Sequence, residues 1–128
     1  MSTASHDYTD AAVVDIDKLL GDYQLNREYM TEKVELFLSD AFTAMDQLRD
    51  GYTHGDEAKT GCCLHKMHSL SAPVHATRLV ELESEYRKSM HDGVPSEQMK
   101  DIIDRLQTAV QATFDVLKKL KESRYGME

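Results

Sequence analysis

Between about residue 26 and residue 52, apolar side chains recur at steps of three and four: Met30, Val34, Phe37, Ala41, Met45, Leu48 and Tyr52. Strand side chains change face at every residue, so no strand gathers that set on one side; a long helix does. One long apolar stripe needs others to bury it. The rest of the chain supplies them: Leu79, Leu82, Tyr86 and Met90 within about 75–91, then Met99, Ile103, Leu106, Val110, Leu117 and Leu120, with Ile102 and Phe114 beside them. "DAAVVDIDKLL" predicts a short helix ending near Gly21. The segment "GYTHGD", with Gly51 and Gly55, breaks the first long helix, and Asp56 is the candidate N-cap of the next. That helix should stop near Pro73, because proline disfavours helical backbone in the residue before it. "HDGVPSEQ" reads as a turn, with Ser96 or the preceding turn residues capping the last helix. The expected fold is all-α: an antiparallel four-helix bundle with a short additional N-terminal helix, one domain over residues 10–123 after a flexible N-terminus at 1–9. Only two prolines and no tryptophan in 128 residues agree with helices over a strand-and-turn architecture.

Charge narrows the partners. The formal net charge is −8, which disfavours non-specific binding to nucleic acid or to anionic lipid. No apolar run approaches the roughly 20 residues that span a bilayer, and "MSTASHDYTD" lacks the basic and apolar regions of a signal peptide. The two cysteines, Cys62 and Cys63, are adjacent and offer no disulfide framework. The expectation is a cytoplasmic monomer with no nucleic-acid or membrane partner.

The stretch "CCLHKMHSLSAPVHA", residues 62–76, holds His65, His68 and His75, three of the six histidines. On a helix that advances about 100° per residue, with Cys63 at zero, Met67, Leu70 and Val74 fall within about 40° of it and define the buried face. His65 then lies at about 200°, opposite the core, among Gly61, Ala72, Ala58 and Ser69 at about 160°, 180°, 220° and 240°. Solvated helix faces ordinarily carry long charged side chains. Here small neighbours leave one imidazole standing clear, and Gly61 costs the helix roughly 1 kcal/mol relative to alanine. Such a face suits the approach of a large partner that brings its own groups to the imidazole.

These residues resemble the phosphoacceptor helix of histidine-containing phosphotransfer domains. That family's pattern is roughly H-x-L-K-G, then small residues, an apolar position, a glycine and L-x-x-L. Here the similarity runs without a gap through His65, Lys66, Met67, His68, Ser69, Val74, His75, Ala76, Leu79 and Leu82. Upstream, "ELFLSDAFTAMDQLRDGYTHGDEAKTGCCLH" resembles the preceding helix and its Gly-Asp turn, and "VVDIDKLL" resembles the short leading helix. The similarity spans about residues 13–120. Three positions depart from the pattern: His68 stands where the family commonly has lysine, and Ser69 and His75 where it commonly has glycine.

The resemblance implies a function. His65 would be the phosphoacceptor, with His68 and Ser69 in support and Ala58, Gly61 and Ala72 on the docking face. The partners would be receiver domains, one in a hybrid sensor kinase and one in a response regulator, linked in a two-component phosphorelay. An aspartyl phosphate would pass its phosphoryl group to Nε2 of His65, which would hand it to the next aspartate. Mg²⁺ would sit on the receiver, and this chain would bind no cofactor. No glycine-rich phosphate loop or Walker lysine motif is present, so the chain reads as a stand-alone phosphocarrier with histidine phosphotransferase activity, not a kinase. His68 is an alternative acceptor, since "HSLSA" locally imitates the motif; choosing it displaces the match by three residues and needs a gap. Two further readings stay open: a non-catalytic, receiver-binding module of the same shape, and a helical metal-binding protein using His65 and His68 with Glu57 or a cysteine.

Overall fold

The computed structural model describes residues 13–125, so the segment expected to be a flexible N-terminus (1–9) lies outside the described residues. Among the described residues five α-helices follow one another: α1 Ile16–Asp22, α2 Arg27–Thr53, α3 Glu57–Ser71, α4 Thr77–Asp92 and α5 Ser96–Leu120, ending in a π-helical turn, Lys121–Tyr125. No strand occurs among the described residues.

Local chemistry explains most helix ends. Asp15, Asn26 and Asp56 each place a side-chain oxygen on a backbone N–H of the first turn, at 3.1, 3.0 and 3.0 Å, satisfying a donor that the helix leaves unpaired. α1 therefore begins at Ile16, later than the apolar run suggested, and Val13 and Val14 enter the core ahead of the cap. α4 ends on Gly93 at φ +70°, where its N–H returns to the carbonyls of Met90 and Ser89. Ser96 does not cap α5. It is the first helical residue; Pro95 precedes it without a side-chain bond, and its carbonyl receives the N–H groups of Gln98 and Met99.

The helices close a ring of contacts, α2 on α3, α3 on α4, α4 on α5 and α5 back on α2. Their stripes merge into one core. Met30, Val34, Phe37, Met45 and Leu48 of α2 meet Cys63, Leu64, Met67 and Leu70 of α3, Leu79, Leu82 and Tyr86 of α4, and Ile103, Leu106, Val110 and Leu117 of α5. Met90, expected on the buried stripe of α4, is exposed near its end. Gly51 is not a helix breaker but a buried residue inside α2. A Cβ there would lie 2.9 Å from Thr60 Oγ1 and 3.2 Å from Thr60 N, so its missing side chain lets α3 start close against α2. Ion pairs tie the outer edges, Arg105 to Glu85 across α4 and α5 and Arg49 to Asp104 across α2 and α5. Among the described residues no helix is long and apolar enough to cross a membrane.

Candidate functional site

α3 is oriented from both ends. At its start, Asp56 caps it and the Thr60 hydroxyl bonds the Asp56 carbonyl at 2.9 Å. At its end, the turn over residues 72–76 is pinned to α1. Asp15 N donates to the His75 carbonyl at 2.9 Å, the Tyr23 hydroxyl donates to the Pro73 carbonyl at 3.1 Å, and His75 Nε2 lies 2.8 Å from Asp22 Oδ2. Those contacts hold His75 at φ +55°, the left-handed region that glycine enters freely and other residues rarely do. His75 is thus a non-glycine residue in a conformation that glycine takes more readily.

With α3 so placed, Cys63, Met67, Leu70 and Val74 are buried and His65 is exposed. Val74 reaches the core from the turn after the helix, since α3 stops at Ser71 and Ala72 is its C-cap. Ala58, Gly61 and Ser69 are exposed beside His65, and Ala72 is half-buried. Nothing among the described residues lies within 4 Å of the point where a Cβ on Gly61 would stand. Among the described residues the His65 ring has no hydrogen-bond or ion-pair partner; beyond the helix's own ladder, its backbone carbonyl accepts from the Ser69 hydroxyl at 3.2 Å. Beside this face, α3 and α4 form an open groove of about 370 Å³ whose walls include Gly61, Leu64, Arg87 and His91. Cys62 is exposed, whereas Cys63 is a core residue whose thiol burial pushes up in pKa.

His68 occupies a different environment. It turns from the outer face toward α4, where its Nδ1 lies 2.9 Å from Oε1 of Glu83. Glu83 is fully buried, with a side-chain exposure of 0%, against 41% for His68. Its second oxygen, Oε2, accepts from the Ser71 hydroxyl at 2.9 Å. Burial holds the Glu83 carboxyl above its ordinary value, and the bonds from His68 and Ser71 and the charge of Arg87 oppose that shift. The reading from sequence missed both Glu83 and Ser71. The signal for Glu83 was present: it stands four residues after Leu79 and three before Tyr86, a carboxylate set into an apolar stripe. Ser71 carried no such mark.

The described residues contain no group of three or more His, Cys, Asp or Glu side chains placed to hold a metal ion, and Glu57 does not join His65 and His68 in one. Compared with known proteins, the chain matches no family model, no curated protein and no solved structure.

Proposed function

We propose that this chain is a histidine phosphotransfer protein: a four-helix bundle with a leading helix that relays a phosphoryl group between receiver-domain aspartates of a two-component phosphorelay. The observation that carries the reading is the setting of His65, an imidazole with no partner among the described residues, on the side of α3 away from the core, among side chains too small to obstruct a docking domain. An unprotonated imidazole nitrogen is a nucleophile at neutral pH. In the forward step Nε2 of His65 forms a bond to phosphorus as the P–O bond of the aspartyl phosphate breaks and the aspartate carboxylate leaves. The reverse step charges the next aspartate. Phosphoryl transfer depends mainly on alignment and on neutralising charge at the equatorial oxygens. In this reading Mg²⁺ on the receiver supplies most of the charge, and the small residues of α3 allow the alignment. Such a carrier works in the cytoplasm as a monomer and binds no nucleotide.

The test is phosphoryl transfer from a receiver domain charged by a small acyl phosphate in the presence of Mg²⁺. Wild type should gain an acid-labile, base-stable label. His65→Gln, which keeps size and polarity but lacks the nucleophilic nitrogen, should lower the labelling rate by about tenfold or more. If receivers bind wild type and never label it, the chain is a docking module without transfer. If His65→Gln labels at the normal rate, His65 is not the acceptor.

A further inference from the structure

The attack drawn through His65 leaves the pairing of His68 with Glu83 unexplained. It is also a costly arrangement. A carboxylate lies fully buried between α3 and α4, and taking such a group out of water is unfavourable unless its oxygens are satisfied. Among the described residues two groups reach them, His68 Nδ1 and the hydroxyl of Ser71, and because an ionised carboxylate can only accept, the imidazole donates from Nδ1. The consequence for His68 is a fixed tautomer and a fixed ring. With Nδ1 donating to Glu83, the proton of a neutral imidazole sits on Nδ1 and the lone pair on Nε2. Nε2 has no partner among the described residues and is not among their buried unpaired atoms, so it opens to solvent on the half-exposed side of the ring. An imidazole oriented at Nδ1 by a carboxylate, with Nε2 outward, is the arrangement that equips a histidine to act through Nε2. His65, by contrast, has neither nitrogen held.

We propose that His68 is a second phosphoryl acceptor on α3, reacting at Nε2, with Glu83 as its positioning residue. This deepens the phosphocarrier reading and rests on it for its donor, an aspartyl phosphate. His68 lies three residues from His65, within the same docking footprint. When Nε2 of His68 attacks phosphorus, the N–P bond forms, the P–O bond to the aspartate breaks, and the carboxylate leaves with the bonding electrons. The ring gains positive charge, and the Nδ1–H stays on the ring against the Glu83 carboxylate, which stabilises that charge. No proton has to move.

The experiment uses phosphoramidate, a small donor that needs no receiver: its P–N bond breaks and ammonia leaves. Sites and isomers are read by peptide mapping and by phosphorus–proton NMR. The exposed His91, with no partner among the described residues, is the internal reference. In wild type, His68 should be modified several-fold faster than His91 and only at Nε2. Glu83→Met keeps length and apolar bulk but removes the acceptor; His68 should fall to the His91 rate and yield both isomers. Glu83→Gln keeps an acceptor oxygen without the charge, so Nε2 selectivity should persist at a reduced rate, and this variant decides the matter if the methionine variant does not fold. With a charged receiver, the residual label of His65→Gln should sit on His68 and vanish in the His65→Gln, His68→Gln double variant. The proposal is overturned if His68 reacts no faster than His91, if it gives both isomers in wild type, or if the double variant keeps the residual label. A receiver that labels no form of the chain overturns the relay reading instead, and the phosphoramidate result then stands or falls alone.

Discussion

Gly51 and Gly61 both sit inside helices and answer opposite needs. At Gly51 a Cβ would press on the Thr60 hydroxyl, which is already committed to the Asp56 carbonyl, and on the Thr60 backbone nitrogen, which cannot rotate away. Overpacking at such a contact costs about 1–3 kcal/mol, and the better helix propensity of alanine returns about 0.5–1. Gly51→Ala should therefore lower stability in chemical denaturation by about 1–2 kcal/mol. Gly61 faces open space, so Gly61→Ala should raise stability by about 0.5–1 kcal/mol in the same measurement. The pair separates a glycine required by packing from one that only leaves room outside. His75 is the residue-scale counterpart. Its positive φ is strained for a non-glycine, and the Asp22 contact at the ring and the backbone bonds at its carbonyl hold it there.

At the scale of the element, α3 divides its circumference between a buried and an exposed side. One side, Cys63, Met67 and Leu70, is core; the other, Ala58, Gly61, His65 and Ser69, is exposed. In the proposed relay, a bulky cation on the exposed side would obstruct the docking receiver without straining the core. Gly61→Arg and Ser69→Arg should each slow phosphoryl transfer from a charged receiver by about tenfold or more, since a displacement of about 1 Å already degrades in-line alignment. Their thermal unfolding should stay within a few degrees of wild type. Normal transfer in both variants would move the docking face away from this side of α3. The ends of α3 follow from its own residues, Asp56 before it and Pro73 after it. Its rotation about its axis follows from the core side chains, and this is why the exposure of His65 was legible in the sequence.

For the molecule as a whole, the buried Glu83 sets a pH dependence of stability. Its pKa is raised above the ordinary 4.5, mainly by burial. The folded state therefore holds this proton to a higher pH than the unfolded chain does. Below the ordinary value both states are protonated and the group costs nothing. As pH rises through the raised value the unfolded state has already released its proton, and stability falls. Glu83→Gln removes that loss. The difference in unfolding free energy between Glu83→Gln and wild type should move in favour of the variant as pH climbs from roughly 4 toward neutrality. Urea titrations of both proteins across that range would check it. Asp50 and Asp104, held low by Lys59 and Arg49, are common to both proteins and cancel in the difference. A flat difference would mean that the carboxyl is not shielded from water in solution.

What the chain determined by itself is what depends on neighbours in sequence. The repeat of apolar residues at three and four defines each helix and its buried side, and Asn26, Asp56 and the approach to Pro73 set where helices start and stop. The exposed face of small residues around His65 follows from the same angular bookkeeping. What only the tertiary structure decided is what depends on the register of one helix against another. Periodicity says that Glu83 lies on the apolar side of α4, but not that it meets His68 and Ser71 across the seam with α3. Nor does it bring His75 to Asp22, or turn Gly51 from a breaker into a point of close approach. Helix periodicity is a local property of the backbone. The sliding and rotation that bring two helices into contact are set by the packing of the whole core, and they decide which polar groups must find each other when water is excluded.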